Sequence, residues 1–355
     1  MDSGPFDSSR RAGEPGRALS DFLAGVEENS GVDLRPARTG PVRRLGAVAA
    51  ALALLAGGCG RVVPAAGPAP NLPAPASPAA SSAAPAYSKI MIIAEENHDY
   101  GQVIGDRSAP YLNALAATYG SVPRMDAGYP ERCPSLAAYI LLTSGTTAGI
   151  CDDKSPAAHP LGGDNIFHQV TAAGRTWRAY AESTPGPCAL TNHDRYLVRH
   201  VPATYYLDVR ADCARSTVAL GTLTRGALRA DVTAGTLPSY AFVTPDACDD
   251  MHGGNGCPSH LVESGDHWLR TWMTQILAGP DYRAGRLVVM ITWDEGTGSS
   301  NHIPAIVVSP TTAHVAAPGS YTHCSTLRTA EEVLRLPLLG CAAGAASMTD
   351  VFHLR

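Results

Sequence analysis

Acidic and histidine side chains follow three apolar segments of the sequence, at the point where each segment ends. The segments are 89–94, 239–244 and 286–293. Buried carboxylates repel one another unless a positive charge lies among them, and a metal ion is the natural partner. The alternative is that each group belongs to a separate solvated loop or helix cap. Because the pattern occurs three times, it favours a single metal site. The residues concerned are Glu96, Asn97, Asp246, Asp249, Asp250, His252, Asp294, Glu295 and His302.

A candidate nucleophile, Ser135, stands in the stretch "CPSLAAYILLTSG" (133–145). Together with Pro134 it opens an apolar run that suits a helix. The free N–H groups at a helix N-terminus favour a bound phosphate and a developing alkoxide. The alternative is that Ser135 only caps the helix. Beside a carboxylate metal cluster, the serine suits the role of a nucleophile.

The elements that must position these residues alternate between strands and helices. We predict strands at 89–94, 176–181, 239–244, 286–293 and 303–308. We predict helices near 109–119, 136–143, 164–173, 263–278 and 324–336. This order indicates a three-layer α/β/α sandwich with a mainly parallel central sheet. In such folds ligands bind beyond the carboxyl ends of the strands, which is where the acidic groups stand.

The N-terminal part of the chain divides into three segments before the predicted domain, 87–355. Residues 1–40 show no sustained period, and the true start could lie after them. Residues 41–59 resemble a signal peptide, with two arginines, a short apolar run and small residues before Cys59. That ending also resembles a lipoprotein box, in which Cys59 is lipidated; ordinary cleavage and a short buried helix are the alternatives. Residues 60–86 are rich in Ala and Pro and predict an extended linker.

Cysteine usage supports export. Apart from Cys59, the chain has eight cysteines, an even number that favours disulfides. A zinc site is the rival, but no C-x-x-C motif occurs. Although eight cysteines allow 105 connectivities, we predict pairs that are close in sequence. These pairs are Cys133–Cys151, Cys188–Cys213, Cys248–Cys257 and Cys324–Cys341.

Composition limits the partners. The chain has 355 residues, of which 45% are hydrophobic, so a sizeable core is possible. A formal charge of −5 argues against nucleic acid as a partner. No apolar run reaches the ~18 residues typical of a membrane span, so we expect membrane contact through the lipid anchor only. We expect a monomer that is secreted or held at the cell surface.

The motifs, in order, resemble those of the bacterial phosphoesterase family, which includes acid phosphatases and phospholipases C and belongs to the alkaline-phosphatase-like superfamily. They cover roughly 88–352. The matching stretches are "EENHDYGQVIG", "PSLAAYILLTSG", "VTPDACDDMHGG", "GDHWL", "WDEG", "NHIPAIVVSP" and "YTHCSTLRTAEEVLRLPLLG".

The resemblance implies a role for each matching residue. Ser135 resembles the nucleophile, and His252 and His302 could bind phosphate or protonate the leaving group. Less specific matches are Asp266 and His323, the latter a possible helix cap. The implied metal ligands are Glu96, Asn97, Asp250, Asp294 and Glu295. They would hold one or two divalent ions. Oxygen ligands suit Mg, Ca or Mn, and a site that also has histidine ligands could bind Zn or Fe.

The nucleophile loop departs from the family pattern, which usually reads H-P-S-L-P-N-Y. Cys133 stands for the His, Ala137 for the Pro and Ala138 for the Asn. In related enzymes this Asn helps to hold the phosphate. Its loss bears on rate and on substrate fit, although the serine remains.

The resemblance implies an exported phosphomonoesterase that works through a phosphoserine. Its expected substrate is a phosphate ester, either a small molecule or a phospholipid headgroup such as a phosphoinositide. Two alternatives remain open. One is a phospholipase C-type phosphodiesterase, and the other is a surface binding protein that kept the fold without catalysis.

Overall fold

A mixed eight-stranded sheet lies at the centre of the computed structural model. The strands are β1 (Lys89–Glu95), β2 (Gly120–Ser121), β3 (Met125–Asp126), β4 (Trp177–Ala181), β5 (Thr217–Ala219), β6 (Tyr240–Thr244), β7 (Leu287–Trp293), β8 (Ala305–Val308), β9 (Val315–Ala316) and β10 (Tyr321–Thr322). Their order across the sheet is β5-β4-β6-β1-β7-β8-β2-β9, and β3 pairs with β10 separately. The strands from β5 to β7 are parallel, whereas β8 is antiparallel to both of its neighbours.

Helices cover the sheet in two layers. They are α1 (Tyr100–Val103), α2 (Pro110–Thr118), α3 (Leu136–Ser144), α4 (Ile166–Ala172), α5 (Arg210–Ser216), α6 (Ala227–Ala234), α7 (Leu261–Ala278), α8 (Pro280–Arg283) and α9 (His323–Leu334). Helix α3 packs against α4 and α9, and α7 packs against α2, α6 and α8. The predicted three-layer α/β/α sandwich with a mainly parallel sheet is therefore confirmed.

The predicted strands correspond to β1, β4, β6, β7 and β8, and the predicted helices to α2, α3, α4, α7 and α9. The direction of β8 follows from its connection. A parallel strand needs a crossover of about a dozen residues or more, usually a helix. The connection from β7 to β8 spans only residues 294–304, and its described residues contain no helix. The chain therefore turns back as a hairpin.

The central strands are apolar along their whole length because helices cover both faces of the sheet. The side chains from Ile90 to Ala94 in β1 are at most 2% exposed, and every residue of β7 is buried. Helix α7 buries one stripe at helical spacing, which includes Leu269, Met273 and Ile276. The positions of the strand ends are therefore fixed by a continuous core.

The structure describes residues 72–74, 87–254, 256–297 and 301–355. Residues 1–40, the predicted signal peptide at 41–59 with Cys59, and most of the predicted linker lie outside this range. One short part of the linker contacts the domain: Tyr119 donates a hydrogen bond of 2.5 Å to the carbonyl of Pro73. No described helix has both the length and the hydropathy that crossing a bilayer requires.

Four disulfides confirm the predicted cysteine pairing. They join Cys133 to Cys151, Cys188 to Cys213, Cys248 to Cys257, and Cys324 to Cys341. The first begins two residues before Ser135, and the third encloses the loop with Asp250 and His252. These two bridges brace the segments that carry candidate site residues.

Candidate active site

The carboxyl ends of β1 and β7 bring Glu96 and Asp294 together. The two strands pair in parallel up to Glu95 and Trp293, so the next residues of both leave the same edge of the sheet. The backbone N–H of Asp294 donates to the carbonyl of Glu95 at 3.0 Å. The N–H of Asn97 donates to Oδ1 of Asp294 at 3.3 Å. Both carboxylates are fully buried.

Ser135 lies directly before α3 and faces the acidic end of β7. Its hydroxyl donates to Oε1 of Glu295 at 3.3 Å, and the hydroxyl of Tyr129 donates to Oε2 of the same carboxylate at 2.8 Å. Ser135 is 2% exposed. The predicted nucleophile is therefore next to a carboxylate that can accept its proton.

A buried histidine, His200, links the ends of β1 and β6. Its Nδ1 lies 3.1 Å from Oδ2 of Asp250, and its Nε2 lies 2.9 Å from Oε1 of Glu96. The ring stacks on Tyr139 of α3, with 4.9 Å between ring centroids. Asp250, a predicted metal ligand, thus holds an imidazole in the structure.

The protonation of this histidine matters for what the site can bind. Burial lowers the pKa of His200 to about 4, so the ring is neutral at pH 7 and has one N–H only. If Nδ1 donates to Asp250, the Nε2 lone pair faces the Glu96 carboxylate. Two acceptors at 2.9 Å need a proton or a cation between them. The pair therefore suits a bound metal ion.

Arg199 supplies the positive charge of the site. Its Nε lies 3.2 Å from Oδ2 of Asp153, and its Nη2 lies 2.9 Å from Nε2 of His252. Asp153 in turn accepts from the N–H of Leu136, the first residue of α3, at 3.0 Å. His252 Nε2 also lies 3.7 Å from Oε2 of Glu96. Arg199 is thus held beside the Ser135 segment.

The acidic groups are harder to ionise than isolated carboxylates. Burial, and then the charge of Asp294, raise the pKa of Glu295 to about 7. Burial also raises the pKa of Glu96, and it raises that of Asp294 well above its usual range, with the Glu96 charge adding to the effect. A cation among these groups would restore their ionised form.

Several buried oxygens of the site have no hydrogen-bond partner among the described residues. They are both carboxylate oxygens of Glu96, Oδ2 of Asp294 and Oδ1 of Asn97. Oxygen donors of this kind, with a neutral imidazole nearby, fit a divalent metal ion. Among the described residues, two groups have three possible ligand atoms within 4.8 Å of one another, and neither includes these oxygens. They are the exposed Asp164, His168 and Asp208, and Glu182, Asp246 and Asp249 at the ends of β4 and β6.

Two other predicted residues, His302 and His323, have contacts of their own. The ring of His302 bonds to the carbonyl of Pro123 at 2.8 Å and stacks on Tyr100. His323 begins α9, and its Nε2–H donates to the carbonyl of Asp294 at 2.6 Å. The structure thus ties His323 to the backbone of the site, whereas His302 contacts the connection between β2 and β3 and the first residue of α1.

Asp266 contacts the start of another helix. Its carboxylate accepts from the N–H groups of Tyr111 at 3.2 Å and of Leu112 at 2.8 Å. Helix α2 has Ala109 at its N-cap, which has no side-chain acceptor. Asp266 of α7 therefore caps α2 from outside.

Sequence reasoning missed Arg199, His200, Asp153 and Tyr129. Arg199 and His200 lie in a three-residue 3₁₀ turn, Val198–His200, which has no periodicity to reveal it. Asp153 and Tyr129 lie in connections between elements. The one available signal was the pair "RH" within the apolar stretch "YLVRHVPA", where buried charge needs a partner.

The chain is similar to known phosphatases. The model of the phosphoesterase family matches residues 106–337. The chain is 30% identical over 281 residues to a phosphatidylinositol-3-phosphatase of Mycobacterium tuberculosis, covering 77% of this chain and 85% of that protein. It is 24% identical over 277 residues to a probable acid phosphatase of Kluyveromyces lactis, covering 75% of this chain and 62% of that protein.

A solved structure is also similar. It is a protein in the alkaline phosphatase superfamily from Vibrio parahaemolyticus, with a TM-score of 0.49 and 12% identity, covering 71% of this chain and 67% of that one. The family model and the phosphatase relatives show that the chain is a hydrolase of phosphoric esters. The chain belongs to the phosphoesterase family.

Proposed function

We propose that this chain is an exported, metal-dependent phosphomonoesterase that works through a phosphoserine intermediate at Ser135. The observation that carries the proposal is the 3.3 Å hydrogen bond from the Ser135 hydroxyl to Glu295. It joins a nucleophile to a proton acceptor beside buried carboxylates that require a cation. Ser135 is the catalytic nucleophile in this proposal, not a helix cap.

The reaction needs two phosphoryl transfers, first to Ser135 and then to water. In the first, Glu295 accepts the hydroxyl proton while the Ser135 oxygen forms a bond to phosphorus, and the bond from phosphorus to the leaving alcohol oxygen breaks. The leaving alcohol oxygen takes a proton from solvent. In the second, water attacks the phosphorus and loses a proton to solvent, the bond from phosphorus to the Ser135 oxygen breaks, and Glu295 returns its proton to Ser135 as phosphate leaves. Glu295 contacts the Ser135 hydroxyl, so it can accept the proton in the first transfer and return it in the second.

The chain's own residues hold and orient the phosphate. Arg199 carries the positive charge of the site, and Asp153 and His252 fix its guanidinium. Burial lowers the pKa of His252, so its neutral ring acts as an acceptor from Arg199. We propose that Arg199 contacts the phosphate oxygens in place of the Asn that Ala138 replaces.

Glu96, Asn97 and Asp294 would hold the metal, with Nε2 of His200 adjacent. A divalent ion bound there would neutralise the phosphate oxygens and lower the pKa of the Ser135 hydroxyl. Asp250 and Tyr139 fix the His200 ring, so they are positioning residues.

The substrate we propose is a phosphorylated inositol lipid or a similar phosphomonoester. The similarity to a phosphatidylinositol-3-phosphatase over 85% of that protein supports this choice. For location, four disulfides are typical of exported proteins and support the predicted signal peptide. We further propose lipidation of Cys59. Fatty-acid labelling tests it, and a Cys59→Ala variant that takes up as much label as wild type contradicts it.

One assay on the purified chain separates the candidate activities. We expect phosphate release from p-nitrophenyl phosphate and from phosphatidylinositol 3-phosphate in vesicles, and loss of both rates with EDTA. Release of phosphocholine from phosphatidylcholine without release of phosphate would instead indicate a phosphodiesterase. No turnover of any of the three with Mg²⁺, Mn²⁺, Ca²⁺ or Zn²⁺ present would contradict catalysis.

A further inference from the structure

A groove between α2, α7 and α8 holds a short part of the linker that precedes the domain. Its volume is about 500 Å³. Residues 72–74 of the linker form part of its lining, and Tyr111 of α2, Leu277 of α7 and Tyr282 of α8 form other parts. None of these residues has a part in the proposed phosphoryl transfer.

Two contacts fix the linker segment in the groove. Leu72 is half-buried and packs against the hydrophobic core of the domain. The hydroxyl of Tyr119, a fully buried side chain, donates to the carbonyl of Pro73 at 2.5 Å. Proline-rich segments in the extended polyproline conformation have carbonyls without internal hydrogen-bond partners, and aromatic-lined grooves bind such segments. The groove therefore suits the Leu-Pro-Ala sequence of residues 72–74.

The groove lies at the edge of the sheet opposite to the proposed reaction site. Tyr282 comes shortly before β7, whereas Asp294 follows the other end of the same strand. Strand β8 is antiparallel to β7, so Pro310, which follows β8 and lines the groove, lies at the edge where β7 begins. Residues 72–74 thus attach the linker far from the end of β7 that carries Asp294.

We propose that residues 72–74 are a clip that docks in this groove and shortens the tether between a membrane-anchored Cys59 and the domain. With the clip docked, the tether runs from Cys59 to Leu72. With the clip released, it runs from Cys59 to Tyr87, where the domain begins. At about 3.1 Å per residue, the two tethers reach roughly 40 Å and 87 Å.

The two lengths have different consequences for the substrate. A compact domain that spans 87–355 has a diameter of about 48 Å. If the reaction site faces the anchoring membrane, the tether must pass around the domain from the opposite edge, a path of roughly 60 Å. The docked tether is shorter than this path, and the released tether is longer. The clip therefore excludes phosphate esters of the anchoring membrane and selects soluble esters or lipids of other membranes. This part of the inference rests on the proposed phosphatase function.

Energy transfer tests the clip without reference to activity. The other eight cysteines form disulfides, so a dansyl maleimide attaches to the purified chain at Cys59. The tryptophans of the domain, which include Trp268 and Trp272 on α7, are the donors. Leu72→Asp places a charge in the groove and should release the clip. Transfer should then fall about twofold or more, because the mean end-to-end distance of the tether grows from roughly 20 Å to 29 Å. Leu207→Asp, at an exposed leucine, is the matched control and should keep the wild-type transfer.

A vesicle assay tests the consequence for the substrate. The purified chain is coupled through Cys59 to vesicles that contain a maleimide lipid. Phosphatidylinositol 3-phosphate is placed either in the same vesicles or in separate ones. We expect the wild type to release phosphate from the separate vesicles, and Leu72→Asp to release it from its own vesicles about tenfold faster than the wild type does. Both should hydrolyse soluble p-nitrophenyl phosphate at the same rate.

The outcomes distinguish this inference from the proposed function. Equal energy transfer in Leu72→Asp and the wild type overturns the clip, and so does an equal fall in the Leu207→Asp control. Tyr119→Phe, which removes the donor to Pro73, should lower the transfer in the same direction as Leu72→Asp. Equal rates of the wild type and Leu72→Asp on lipid of their own vesicles overturn the limit on the substrate. If p-nitrophenyl phosphate is not hydrolysed, the proposed function fails, whereas energy transfer still decides whether the clip exists.

Discussion

Nε2 of His200 lies 2.9 Å from Oε1 of Glu96, and both side chains are enclosed by the protein. With its other nitrogen on Asp250, the neutral ring cannot donate to both carboxylates. The contact therefore needs either a proton on Glu96 or a cation. This makes His200 the residue whose substitution reports most directly on the metal proposed for catalysis.

Replacing His200 by Gln should weaken metal binding about 10–100-fold, because it removes an imidazole that contacts a predicted ligand. Metal content after dialysis and the kcat/KM for p-nitrophenyl phosphate measure the effect. His314→Gln is the control, since His314 is exposed and its ring bonds to the carbonyl of Ala117. Equal metal content in His200→Gln and wild type would show that the pair holds only a proton.

Substitutions of Ser135 and of Asp294 should distinguish the catalytic nucleophile from a metal ligand. Ser135→Ala should remove nearly all turnover but leave metal and fold intact, because the proposed ligands come from other strand ends. Asp294→Ala should lose both metal and activity. Elemental analysis and phosphatase rates on the two variants check this. If Ser135→Ala keeps more than about a tenth of the rate, a loss of under ~1.4 kcal/mol, the covalent mechanism fails.

The metal-free chain should lose stability between about pH 6.5 and 8. Burial raises the pKa of Glu96, Asp250 and Glu295, each to about 7, so the folded state keeps protons that the unfolded state has released. The unfolding free energy therefore falls as pH rises. The lowered pKa of about 4 for His200 and His323 has the opposite effect, but only below the usual histidine pKa of about 6.5.

Melting curves in EDTA across this pH range test the effect, and the same curves with a saturating divalent ion are the control. The ion should flatten the dependence because it favours the ionised carboxylates. A melting temperature in EDTA that stays constant or rises from about pH 6.5 to 8 would contradict the raised pKa values.

Arg199→Lys should lower kcat/KM by about 10–100-fold although it keeps the charge. Lysine cannot reproduce the planar fork that contacts both Asp153 and His252. The KM for the ester and the inhibition constant of inorganic phosphate should both rise. Arg229→Lys, on α6, is the matched control. Unchanged phosphate inhibition in Arg199→Lys would remove Arg199 from the proposed phosphate site.

Asp266→Ala should reduce stability by about 1–2 kcal/mol because it uncaps α2 and leaves two N–H groups without an acceptor. The kcat of the folded fraction should not change. Chemical denaturation and activity assays give the two quantities, and Glu263→Ala, an exposed position on the same helix, is the control. A large loss of kcat at unchanged stability would instead assign Asp266 to the reaction.

The sequence was informative where the site depends on strand ends. Glu96 and Asp294 were predicted to meet because apolar parallel strands end at one edge of the sheet, and β1 and β7 bring them there. Ser135 was predicted at the start of a helix, and α3 begins at the next residue. In each case a long buried segment fixed the position of the polar residue at its end.

The other parts of the site depend on contacts between residues that are distant in sequence, which no local sequence pattern predicts. Arg199 and His200 reach the site through a three-residue turn, and their partners are distant in sequence. Asp266 was considered as a site residue because "GDHWL" matches a family motif, whereas its contacts in the structure follow from the packing of α7 on α2. Two-residue strands such as β2 and β9 likewise form only because they pair with neighbouring strands of the sheet.

The four disulfides also determine how the chain can mature. Their sequence separations are 18, 25, 9 and 17 residues, and no bridge encloses or crosses another. A chain that emerges N-terminus first can therefore close each bridge before the cysteines of the next one appear. Native pairing then needs only the nearest available partner, and disulfide reshuffling, which takes seconds to hours, is avoided. Oxidative folding should accordingly depend little on a disulfide isomerase.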